Sequence, residues 1–78
     1  MFSEKVLVAR LAQARIAKGL SQRQLAFRIG VSPRAIGQFE QGQNLPSLAT
    51  LVALSKALEC STDFLLGLSD HVTPDGGD

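Results

Sequence analysis

Apolar positions recur at helical spacing along most of the chain. Leu7, Leu11 and Ala14 form one stripe, with Lys18 at its edge. Leu25, Ala26 and Ile29 form a second. Leu48, Leu51, Val52, Ser55 and Leu58 form a third. No alternating run is long enough to predict a strand. Hydroxyl residues suited to cap helices precede these stripes at Ser3, Ser21, Ser32, Ser47 and Ser61, and Pro46 sits just ahead of Ser47. Glycines follow at Gly19, Gly30, Gly42 and Gly67. The pattern predicts five short helices and an all-α domain over residues 1–68. An acidic, mobile tail is expected over 69–78, which carries Pro74, Gly76, Gly77 and three acids.

Residues 21–42, SQRQLAFRIGVSPRAIGQFEQG, carry the densest local signal. Ser21 and Gln24 have the spacing of a capping box, with Leu20 and Leu25 as its hydrophobic staple. Ser32 caps the next helix, and Pro33 takes the first turn, where a missing N–H costs nothing. Val31 and Ile36 make a second staple. Two helices this short are unstable alone and must be held by the rest of the domain. At about 100° per residue, Ala35, Ile36, Phe39 and Glu40 fall on the inner side of the second helix. Arg34, Gln38 and Gln41 fall on the outer side, with Pro33 and Gly37 at its margin. An outer side with a guanidinium, two amides and no carboxylate suits base edges: Arg pairs with guanine O6 and N7, Gln with adenine N6 and N7. On an arbitrary amphipathic helix this would be a plain solvated face. The capped helix–turn–helix frame tips the reading toward DNA.

Charge distribution strengthens that reading. Net charge is only +1. Residues 1–42 hold seven basic residues against two acids, a net of +5, while residues 43–78 hold one against five, a net of −4. Such a split suggests a basic face for a polyanion and an acidic part turned away.

The four segments GLSQRQLA, GVSPRAIGQFEQG, PSLATLVALSKAL and STDFLLG, in this order, resemble the phage-repressor (Cro-type, lambda-repressor-like) DNA-binding family over about residues 7–67. The resemblance implies a compact five-helix fold with helices two and three as the helix-turn-helix. It places Ser32, Pro33, Arg34 and Gln38 at base-facing positions. It places Gln22, Arg23, Gln41 and Gln43 at phosphate positions. It pairs Arg15 with Glu40 as a structural ion pair. It implies double-stranded DNA and a second copy of the chain as partners. Leu65, Leu66 and Leu68 are expected at the dimer interface, with Leu54 as a neighbour. Three residues depart from the usual pattern. Phe27 stands where a polar residue is usual and is expected to pack against the N-terminal part of helix one. Gly37 replaces a larger side chain, and Pro33 offers a base only apolar contact.

Other chemistry finds little support. His71, the one histidine, lies in the expected tail, and Cys60 reads as a core thiol. There is no zinc-type ligand spacing, phosphate loop or nucleophile–base pair, so no metal, cofactor or enzymatic activity is expected. No stretch reaches the roughly 18 apolar residues of a membrane span. A lone cysteine and an N-terminus broken by Glu4, Lys5 and Arg10 fit a cytoplasmic protein without a signal peptide. The expected function is a sequence-specific, dimeric transcriptional repressor binding a pseudopalindromic operator through the major groove. Alternatives are an antitoxin, a restriction–modification controller, or a protein-interaction module of the same fold that has lost DNA binding. A toxin or polymerase as protein partner stays open.

Overall fold

A computed structural model describes residues 2–73. It contains α1 (Glu4–Ala17), α2 (Gln22–Ile29), α3 (Pro33–Glu40), α4 (Leu48–Leu58) and α5 (Thr62–Leu66). The described residues form no strand, and none of their helices is long and apolar enough to cross a membrane.

Each helix begins at a serine whose Oγ accepts a backbone N–H three residues on: Ser3 from Val6, Ser21 from Gln24, Ser32 from Ala35, Ser47 from Thr50, Ser61 from Phe64. At α2 the box closes in both directions, with Gln24 Oε1 accepting from the Ser21 N–H at 2.8 Å. Caps of this kind contribute about 1 kcal/mol each, a large help to helices of two or three turns. α4 ends differently. Glu59 takes a left-handed conformation at φ 54°, and its carboxylate lies 3.0 Å from Lys18 Nζ. That contact joins the C-terminal ends of α1 and α4.

All five helices contribute to one core. Leu7 and Leu11 enter from α1, Leu25 and Ala26 from α2, Ile36 from α3, and Leu51, Leu54 and Leu58 from α4. Cys60, Phe64 and Leu65 close it. The buried stripe of α4 is therefore Leu51, Leu54, Ser55 and Leu58, which differs from the expected one. Leu48 is 83% exposed and Val52 is 44% exposed. Leu48 is the first residue of α4 and overhangs the core rather than entering it. Spacings of three, four and seven residues put Leu54 with Leu51 and Leu58.

This packing corrects the expected dimer patch. Leu54 and Leu65 are sealed inside the monomer, at 1% and 0% exposure, so neither offers surface to a second copy. Leu66 is partly buried against the core, and Leu68 is half exposed.

α5 docks on α1 because Gly67 has no side chain. At φ 78° a Cβ would be strained, and it would lie only 3.0 Å from Val6 Cγ1. The chain beyond α5 is tied back as well. Arg10 donates to the carbonyls of Phe64 and Ser69 at 2.6 and 2.7 Å and to Asp70 Oδ1 at 3.0 Å. Its guanidinium lies 4.2 Å from the centre of the Phe64 ring. The Ser61 N–H donates to the Val72 carbonyl at 2.6 Å. The expected free tail therefore does not begin at Ser69: residues 69–72 belong to the folded body. The rest of that expected tail, 74–78, lies outside the described residues.

Candidate nucleic-acid interface

α2 and α3 are joined by a tight turn in which Gly30 has φ 75° and the Val31 N–H bonds the Ala26 carbonyl at 3.1 Å. Ala26 is 1% exposed, and its small side chain lets the two helices approach. Ile36, buried to 1%, anchors the inner side of α3. The opposite side stays open. Gln22, Pro33, Arg34, Gly37, Gln38, Gln41 and Gln43 line one shallow concavity of about 430 Å³. The structure thus brings together Gln22 from the start of α2, four residues of α3, and two residues just after it. Ser32 sits at the leading end of α3 as its cap, with Oγ accepting from the Ala35 N–H. Arg23 lies outside this concavity and lines another with Leu20, Gln24, Phe27 and Arg28.

Beneath the concavity lies a polar chain. Arg15 Nε donates to Glu40 Oε2 at 2.6 Å, and one terminal nitrogen donates to Oε1 at 3.1 Å. The remaining nitrogen of the guanidinium donates to the Leu20 carbonyl at 2.8 Å. Glu40 Oε1 also accepts from Gln22 Nε2 at 3.1 Å. The side chains of Arg15 and Glu40 are only 14% and 8% exposed. Hydrogen bonding to Glu40 raises the Arg15 pKa above its already high value, against an opposing desolvation effect, so the guanidinium stays charged. The carboxylate of Glu40 is turned inward and neutralised. It does not set a bare negative charge beside the open side of α3.

The basic residues divide into two groups, a distinction net charge does not reveal. Arg10 and Arg15 are spent on internal bonds, and Lys18 pairs with Glu59. Lys5, Arg23, Arg28, Arg34 and Lys56 have no ion-pair partner among the described residues, and all of these but Lys56 lie in residues 1–42. Nothing in the sequence singles out Lys5. It shares a small concavity with Glu4, Val8, Gln41 and Gly42, next to the far end of α3. Only the packing of the α1 N-terminus on the turn after α3 reveals that neighbourhood.

Phe27 departs from expectation. It is 88% exposed and does not pack on α1. Ala26 and Leu25 already occupy the side of α2 that faces the core, and a residue 100° further round is left in solvent.

A helix-turn-helix family profile matches residues 11–65. A prophage-derived helix-turn-helix transcriptional regulator of Bacillus subtilis, YonR, is 44% identical over 57 residues, covering 73% of this chain and 53% of its own length. The chain thus spans about half of that relative. The fold is similar to the c2 repressor of phage P22, solved with a synthetic operator, at a TM-score of 0.77 and 38% identity over 81% of this chain and 96% of that one. It is also similar to the restriction–modification controller C.AhdI of Aeromonas hydrophila, at a TM-score of 0.73 and 38% identity over 77% and 91%. With its five helices, its capped α2–turn–α3 unit and these likenesses, the chain belongs to the helix-turn-helix family of the phage-repressor type.

Proposed function

We propose that this chain is a sequence-specific, double-stranded DNA-binding transcriptional repressor that acts as a homodimer. α3 enters the major groove with Arg34 and Gln38 toward base edges, and Ser32 and Pro33 lie at its leading end. Gln22, Gln41 and Gln43 flank it at the height of the phosphates, with Arg23 further out on α2. The carrying observation is the open side of α3, which presents Arg34 and amides while its one acid, Glu40, is turned inward to Arg15. A polyanion meets donors there and no exposed carboxylate. Repression follows from occupancy: a bound dimer obstructs the polymerase.

A second reading, a restriction–modification controller, is favoured by the likeness to C.AhdI. Both readings use the same DNA-binding geometry and differ in which promoter carries the site.

The test is selection of bound duplexes from a random pool. A two-fold dimer places its recognition helices in successive major grooves, so a pseudopalindrome with half-site centres about 10–10.5 base pairs apart is expected. Affinity should fall steeply with salt, by about 0.9 log units per log unit of salt for each neutralised phosphate. No selected sequence, with no binding at low salt, would instead favour a protein-interaction module.

A further inference from the structure

We propose that Asn44 is a positioning residue for base readout, holding the Gln38 carbonyl so that Gln38 offers DNA its N–H donors and prefers guanine over adenine. This rests on the reading of α3 as the base-reading helix.

The geometry begins with how α3 ends. The Gly42 N–H bonds the Phe39 carbonyl at 3.2 Å, and the Gln43 N–H bonds the Gln38 carbonyl at 2.9 Å. These two bonds, with Gly42 left-handed at φ 74°, make a Schellman turn. The turn fixes the direction of the chain leaving α3 and brings residue 44 back over residue 38. Asn44 Nδ2 then donates to Gln38 Oε1 at 2.9 Å. Consecutive residues, Gln43 and Asn44, thus hold the backbone carbonyl and the side-chain carbonyl of the same glutamine. The bond favours one rotamer of Gln38, and the partner that favours it sits on a backbone that is itself hydrogen-bonded.

The consequence is chemical. An unrestrained glutamine shows one acceptor and one donor side by side, the complement of adenine N6–H and N7. With Oε1 turned to Asn44, the group left to face DNA is Nε2 with its two N–H donors. Guanine shows two adjacent acceptors in the major groove, O6 and N7, whereas adenine shows only N7 beside a donor. The base preference at this position is therefore written jointly by Gln38 and a loop residue that itself touches no base.

The experiment uses the whole chain, with wild type, Asn44→Ala and Asn44→Asp each selected against a random duplex pool. Affinities are then measured for single-base variants of the selected site. The pair opposite Gln38 is identified as the one whose preference Gln38→Ala abolishes. Wild type is expected to favour guanine over adenine there by at least about fivefold, the lower end of what a good bidentate contact discriminates. Asn44→Ala frees the glutamine and shifts preference to adenine at that pair alone. In Asn44→Asp the carboxylate accepts from Nε2, turning Oε1 outward and favouring a base with an amino group. Unchanged thermal melting of the variants separates this from a folding effect. Adenine preferred by wild type, or the same preference in wild type and Asn44→Ala, overturns the assignment of Asn44 while leaving DNA binding intact. Failure of wild type to select any sequence overturns the DNA-binding reading, and this proposal with it.

Discussion

Arg15 and Glu40 lie 25 positions apart in the chain and meet with Nε 2.6 Å from Oε2. That contact fastens α1 to α3, the helix with the open side. Arg15→Ala removes both bonds to Glu40 and the bond to the Leu20 carbonyl. Breaking a buried pair costs roughly 3–5 kcal/mol. The expected loss is near the lower figure, because Gln22 still donates to Glu40 Oε1. Such a loss is a large fraction of a small domain's stability. Chemical denaturation measures it, and a loss under about 1 kcal/mol would mean the pair is solvated in solution.

Phe27 is predicted to contribute almost nothing to folding. At 88% exposure it buries too little area for the hydrophobic effect to act on it. Phe27→Gln should change stability by less than about 0.5 kcal/mol, as surface substitutions usually do. Phe64→Ala, at a 9% exposed position beneath Arg10, should cost about 3–5 kcal/mol. Equal losses for the two variants in the same urea titration would contradict this picture.

The contrast between Phe27 and the capped helices shows where the sequence stops being legible. A cap is a local bond between residues three apart, so Ser21, Ser32 and Ser61 announce their helices without help from the fold. Periodicity says which residues share a side, but not what that side meets. Leu48 shares a side with Leu51 and Val52, yet the core ends before reaching it. The family resemblance offers Leu65 to a partner, with Leu54 on α4 as its neighbour. Only the docking of α5 on α1 and of α4 on α2 and α5 decides that both are consumed inside. Arg10 is similar: as a charge it counts toward a basic face, and in the fold it clamps residues 69 and 70. The open side of α3 is legible, since 100° steps alone separate Arg34 and Gln38 from Ile36. The bond from Asn44 to Gln38 is not, because it depends on the turn that Gly42 makes.

Dimerisation is predicted to use the surface that remains once Leu54 and Leu65 are buried. Leu68, 52% exposed just beyond α5, and the partly buried Leu66 that ends α5 are the apolar residues left at this end of the fold. Leu68→Glu should shift the protein toward monomer in sedimentation and weaken operator binding, with melting unchanged. Leu48→Glu is the control, since Leu48 is exposed on another helix. If only Leu48→Glu dissociates the dimer, the interface is on α4 instead.

Cys60 gives the fold a component of stability that disappears at alkaline pH. Burial pushes its thiol pKa up, because the thiolate is disfavoured in the core. The folded state therefore holds this proton more tightly than the unfolded state. The stability that results is present below the ordinary thiol pKa and is lost as pH rises through the raised folded value. Urea midpoints should fall more steeply in that alkaline range for wild type than for Cys60→Ala. At neutral pH the thiol should react slowly with a disulfide reagent until the chain unfolds.

Gly37→Ala should separate stability from function. Glycine in a helix interior costs about 0.8–1.0 kcal/mol relative to alanine. Nothing in the free protein demands it: φ is not left-handed, and a Cβ would meet only Gln22 Oε1 at 3.8 Å, an ordinary contact. Gly37→Ala should therefore raise stability by roughly the propensity difference. Yet the position lies between Arg34 and Gln38 in the concavity that α3 opens. In the proposed binding mode a methyl group there would stand between the helix backbone and the floor of the major groove. It should hold α3 back and keep one or both neighbours from reaching their bases, at a cost of about 1–3 kcal/mol for each bidentate pairing that fails to form. The two measurements are a denaturation curve and an operator titration on the same variant. Higher stability with lower affinity means the glycine serves close approach to DNA. Higher stability with unchanged affinity would show that α3 does not pack tightly enough on the groove for residue 37 to matter.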